Sequence, residues 1–179
     1  MATILDLGTD TTNLDIFAYN TGDGQFLRTA QSFSFSDIPT ITGAEGNIKC
    51  TGAGTGPEIT VRIETDNANK PSGTLAHANL TATIAGFADQ TFAWKTVTFT
   101  TTTLSSGIKY WLVFKATTES GTPTPAYWIA GASSALAGHA YSEYNVGGSG
   151  AWSTVAAQDA AIRISGSLLG AVKDYALFL

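Results

Sequence analysis

From Glu58 to Ala116 the chain alternates apolar and polar residues, and this period of two limits what it can fold into. Ile59, Val61 and Ile63 alternate with Thr60, Arg62 and Glu64, and Leu80, Ala82 and Ile84 alternate with Thr81 and Thr83. Successive side chains of a β-strand point to opposite faces, so each run describes a half-buried strand. Asp66-Asn67-Ala68-Asn69-Lys70-Pro71-Ser72-Gly73 and Leu104-Ser105-Ser106-Gly107 supply the breaks that antiparallel strands need. Lys109–Lys115 is different. Tyr110, Leu112 and Phe114 are apolar on one face, and Trp111 and Val113 on the other. A strand apolar on both sides is expected to be central, with its second face covered by a loop, an arm or another subunit.

The rest of the chain extends the pattern. Phe33 and Phe35 alternate with Ser32, Ser34 and Ser36, and Ile48 is in phase with Cys50. Pro39 and the Gly43–Gly46 region are expected to separate these two strands. Ala126–Ala130, Gly138–Tyr144 and Ala160–Gly166 read as later strands, the last with Ile162 and Ile164 inward and Arg163 outward. Ser133–Ala137 could form one helical turn. Roughly ten short strands at this spacing predict an antiparallel all-β sandwich or barrel. Residues 1–24 read as an N-terminal arm in which Thr3–Leu7 and Asn13–Tyr19 could each form a short strand, 25–167 as the body, and 168–179 as an apolar C-terminal strand or docking tail.

Trp94 is out of phase with Val97 and Phe99. Either a bulge lies near Lys95-Thr96 or the ring faces the opposite side; a core position is the expected one. Cys50 is the single cysteine, so an intrachain disulfide is impossible, and its phase predicts a buried thiol.

Composition narrows the function. The 179 residues carry a net charge of −5, and only 13% are charged, against the usual share of about 25%. Thr and Ser occupy the expected solvent-facing positions. An exterior so sparsely charged suits a protein covered by neighbours more than a free monomer. Three arginines and six scattered lysines form no basic stripe, which argues against a nucleic-acid partner. No run approaches the ~20 apolar residues of a membrane helix, and no export signal is visible at the N-terminus, so a product made and kept in the cytosol, or assembled there into something larger, is expected.

Few residues suggest chemistry. His77 and His139 are the only histidines, and neither accompanies a nucleophile elbow or a set of metal ligands. Asp66, Asp89, Glu119, Glu143 and Asp159 form no pair marked by spacing. Asp66-Asn67-Ala68-Asn69 alternates oxygen-bearing side chains that suit calcium, but an Asx-rich turn explains it better. No catalytic residue, metal or cofactor is assigned. The late aromatic group holds Tyr127, Trp128, Tyr141, Tyr144 and Trp152. Of these, Tyr127, Trp128, Tyr144 and Trp152 are the candidates for stacking on a sugar; the competing reading is core packing.

Gln31-Ser32-Phe33, Ile59-Thr60-Val61-Arg62-Ile63, Lys70-Pro71-Ser72-Gly73-Thr74-Leu75-Ala76, Trp94-Lys95-Thr96-Val97-Thr98-Phe99, Leu104–Val113 and Ala161–Gly166 follow one another in an order that resembles a jelly-roll β-sandwich module of phage virion proteins and bacterial surface proteins. The resemblance covers about residues 26–166. It implies jelly-roll topology, with Pro-Ser-Gly as a hairpin loop, and a scaffold role. The expectation is a non-enzymatic bacteriophage virion protein: a capsid decoration or cement protein, or a head or tail fibre component. Its partners would be itself, as a homotrimer, and a major capsid or other virion protein. Ile4, Leu5 and Leu7 of the arm and Tyr175, Leu177, Phe178 and Leu179 of the tail would supply the contacts. The alternative is a carbohydrate-binding module that meets surface glycans.

Overall fold

The computed structural model describes residues 2–9, 13–17, 27–52, 54–117, 126–132, 141–145, 151–155 and 159–170. Ser133–Ala137, His139, and Tyr175, Leu177, Phe178 and Leu179 of the tail lie outside them. The described residues form thirteen strands and no helix. In chain order these are β1 (Thr3–Asp6), β2 (Asn13–Phe17), β3 (Leu27–Phe33), β4 (Ile38–Thr51), β5 (Ile59–Asp66), β6 (Pro71–Leu75), β7 (Thr81–Ile84), β8 (Ala93–Thr103), β9 (Tyr110–Ala116), β10 (Ala126–Ala130), β11 (Tyr141–Asn145), β12 (Ala151–Val155) and β13 (Ile162–Leu169).

They make two antiparallel sheets packed as a β-sandwich. The first runs β1-β13-β4-β10-β2, with β8 on the other edge of β4. The second runs β12-β11-β3-β9-β5-β6, with β7 also paired to β5. Ile41, Ile48 and Ile162 of the first sheet and Phe33, Val61, Leu112 and Phe114 of the second meet in one core. Each such side chain contributes about 1.5–3 kcal/mol by leaving water.

β4 corrects the sequence reading. It runs unbroken through Pro39 and the Gly43–Gly46 region, where a separation was expected. Pro39 lies at the second residue, and its carbonyl accepts from Leu104 N at 2.9 Å. Gly46 is needed for packing: a Cβ there would lie 2.8 Å from Cζ of Phe114. Opposite β4, the register shifts between Ser165 and Gly166, where a Cβ on Gly166 would lie 1.9 Å from the Thr40 carbonyl oxygen. These glycines allow close approach and do not end the strand.

Three more expectations change. Pro71-Ser72-Gly73 is part of β6, and the hairpin turn is Asn67–Lys70 instead. Asn67 and Lys70 exchange backbone hydrogen bonds at 2.8 and 3.2 Å, with φ of 52° at Ala68 and 63° at Asn69, as a two-residue hairpin loop requires. The two short strands expected in the arm are present as β1 and β2, but they belong to the first sheet and not to a separate arm: β1 pairs with β13, and β2 with β10. β13 itself runs through the boundary drawn at 167/168. The second face of β9 is covered, but by a residue of β12 in the same sheet and not by the loop, arm or subunit expected. Trp111 and Val113 are buried with Ala30, and Trp152 packs against them.

A buried side-chain amide helps to link the two sheets. Gln31 on β3 is fully buried; its Nε2 donates to Asp159 Oδ1 at 2.6 Å, and its Oε1 accepts from Ala160 N at 2.7 Å. Ala160 bridges Gly131 beside β10 and leads into β13. Gln31→Leu keeps the bulk but orphans a buried amide. We expect it to cost about 2 kcal/mol, read as a fall of roughly 4–8 °C in thermal unfolding.

Candidate functional site: the outer face of the first sheet

Alternation on β4 sends Ile41, Ala44, Ile48 and Cys50 into the core, and so sends Glu45, Asn47 and Lys49 to the outer face. The neighbouring strands add Asp6 on β1, Arg163 on β13, Thr96 and Trp94 on β8, and Trp128 on β10. The register places Asp6 opposite Arg163, Arg163 opposite Glu45, and Glu45 opposite Thr96, so one row crosses four strands. Its members bond in sequence. Arg163 Nε donates to Asp6 Oδ2 at 2.9 Å, Arg163 Nη1 lies 3.6 Å from Glu45 Oε2, and Thr96 Oγ1 donates to Glu45 Oε1 at 2.6 Å. The charges are part-exposed, so each pair adds only a fraction of 1 kcal/mol, but together they fix the orientation of Arg163.

That guanidinium lies 3.8 Å from the centroid of Trp94. Trp94 is therefore on the outer face, against the expected core position. The register is continuous from Glu45↔Thr96 through Gly46↔Lys95 to Asn47↔Trp94, so no bulge intervenes at Lys95-Thr96. The sequence carried this signal: if Val97 and Phe99 face in, Trp94 shares the parity of Thr96 and faces out.

Two residues along β4, Lys49 stands between two rings. Its Nζ lies 4.6 Å from the Phe92 centroid and 5.9 Å from that of Trp128, its register partner. Between these two groups sits Asn47, 7% exposed, whose Oδ1 is buried without a hydrogen-bond donor. Aromatic rings, a central cation and an unsatisfied carboxamide make this face suited to holding a ligand.

The four residues expected to form a sugar platform do not share a surface. Tyr127 is fully buried between the sheets: its ring packs 4.8 Å from that of Phe87, its hydroxyl donates to Pro57 O at 2.6 Å and accepts from Phe87 N at 3.4 Å. Burial pushes that hydroxyl's pKa up to about 12. Tyr127 is thus a core residue and is withdrawn from any platform. Trp128 is on the outer face of the first sheet, whereas Trp152 packs on the outer face of the second. Tyr144 pairs with Trp152 through its backbone, and its side chain lies outside the described residues.

The contact residues of the arm also change. Leu7 is 3% exposed and belongs to the core, and Ile4 and Leu5 pack against it, so their apolar surface is used within the chain. The exposed large apolar side chains among the described residues are Ile38, Ile108, Leu168 and Leu169. They gather at one end of the sandwich. Leu169 is opposite Ile38, and Leu168 opposite Pro39. The loop bearing Ile108 is tied to the same end by Leu104 N donating to Pro39 O and Gly107 N to Phe35 O. β1 makes its last link to β13 at Gly166 N, which donates to Ala2 O; Ser167–Leu169 continue past it.

The Asp66 loop is committed to the fold. Asp66 Oδ1 accepts from Trp111 Nε1 at 2.7 Å, Oδ2 accepts from Asn69 N at 3.2 Å, and Lys109 Nζ donates to Asn69 Oδ1 at 2.9 Å. An ammonium beside the turn and two occupied carboxylate oxygens oppose a calcium ion. Among the described residues no three His, Cys, Asp or Glu side chains could share a metal. His77 is exposed, and its Nδ1 accepts from Asn79 N at 3.2 Å. Comparison with known protein families and with curated proteins finds no match.

Cys50 is a packing residue. It is fully buried, and desolvation pushes its thiol pKa up, outweighing a lowering backbone hydrogen bond from Gly56, with Asp89 adding to the rise. The fold thus favours the protonated thiol; that contribution is complete below the ordinary thiol range and is lost as pH climbs through the raised value. A thiol reagent at pH 8 is expected to label the native protein no faster than it unfolds, and denatured protein at once. Rapid native labelling would show that the thiol is reached from solvent.

Proposed function

We propose that this chain is a non-enzymatic structural protein of a bacteriophage particle: a rigid β-sandwich that decorates or cements the capsid, or builds a head or tail fibre. The observation that carries this reading is the gathering of Ile38, Ile108, Leu168 and Leu169 at one end, where β13 extends past its neighbour β1. Large apolar side chains exposed on both faces of one strand end, with no further strand paired there among the described residues, are contacts in search of a partner. The sparsely charged exterior and the jelly-roll resemblance of residues 26–166 support the same reading. In it the chain associates with itself as a homotrimer and with a major capsid or other virion protein, and the apolar end is the docking surface.

The test is light scattering of the purified protein beside a Leu168→Asp/Leu169→Asp variant. Both positions are exposed, so the variant should melt within a few degrees of the parent. We expect a homo-oligomer for the parent and a monomer for the variant. A parent that stays monomeric, or a variant that assembles normally, would contradict the assignment.

A further inference from the structure

We propose that the outer face of the first sheet binds a sugar bearing a carboxylate, held between Phe92 and Trp128 with its charge on Lys49. The site is independent of the apolar end. Lys49 and Ile38 are eleven residues apart on one strand, roughly 35 Å at ~3.3 Å per residue.

Three observations lead there. The first is charge. Arg163 is matched by Asp6 and Glu45, and Lys95 by Asp89. Lys49 has no carboxylate within ion-pair distance among the described residues; its ammonium contacts only the faces of two rings. Among the described residues Lys49 is therefore the one charge of this face without a counter-ion within bonding distance. An anionic group on a ligand is its electrostatic complement.

The second is shape. Lys49 lies between half-buried rings contributed by both neighbouring sides of β4. Two rings flanking an ammonium in one row suit a ligand that offers C–H groups to the rings and a carboxylate to the cation. An acidic pyranose has that distribution. The third is Asn47. Its carboxamide oxygen is shielded and lacks a donor, a state that costs about 1–3 kcal/mol in a folded protein. A small turn of the amide brings it to a ligand hydroxyl, one strand position pair from Lys49 and on the same face. Trp94, capped by Arg163, closes that side of the site.

The experiment uses intact protein, tryptophan fluorescence and calorimetric titration. The probes are trigalacturonic acid, its methyl ester, 3′-sialyllactose and maltotriose. We expect at least one of the two acids to bind, the methyl ester and maltotriose to bind about tenfold more weakly, and Lys49→Met to remove that preference. Trp128→Ala should weaken every probe that binds. The acid-against-ester comparison is made on the parent protein, so it stands even if a variant misfolds; circular dichroism melts check each variant. No binding of either acid at millimolar concentration overturns the proposal, and shows Lys49 as a side chain that only covers its two rings. Equal affinity for acid and ester, or an unchanged preference in Lys49→Met, overturns the role of the charge.

Discussion

The pairing of β4 with strands on both edges is the constraint on which the rest of the first sheet depends. β8 runs along one side, while β13 and then β10 share the other. Its inward residues form much of one wall of the core, and its outward residues form the polar row. A strand of fourteen residues cannot change register locally without exchanging these faces. The register shifts opposite Ile41–Gly43 and Ser165–Gly166 therefore matter: they absorb irregularity at the apolar end and leave Ala44–Cys50 in continuous alternation.

The same alternation explains how two dissimilar surfaces arise on one small sandwich. Past Gly166, β13 pairs with β4 alone among the described residues, and Leu168 and Leu169 are exposed, the latter opposite Ile38. Towards the other end of β4, β8 and β10 flank it, and the outward positions carry rings and ions. The second sheet uses its outer face differently. Trp111 and Val113 are covered, and Trp111 is tied by its indole nitrogen to Asp66, so this face serves stability.

Much of this was legible in the sequence. Ile59–Ile63, Val97–Phe99 and Ile162–Ile164 announced their faces, because period-two patterns are local and each strand reports its own orientation. What the sequence hid were relations between distant strands. Gly46 reads as a break until the Phe114 ring of the other sheet is set against it. Leu7 reads as an exposed arm residue until β1 pairs with β13, more than 150 positions away. Tyr127 and Trp128 read as one aromatic group, yet adjacent residues on a strand face opposite ways, so the pattern itself argued against a shared platform. The candidate site was the least legible part: it draws on β1, β13, β4, β8 and β10, and only their register assembles it.

Amide hydrogen exchange tests the central claim most directly, because it reads the pairing of β4 residue by residue. If β4 is held from both edges as described, the amides of residues 44–50 exchange only through global unfolding and rank with those of β9 as the slowest in the chain. Exchange of that segment as fast as the edge strands β6 and β7 would mean that β4 opens on its own, and neither the core wall nor the polar row built on it would stand.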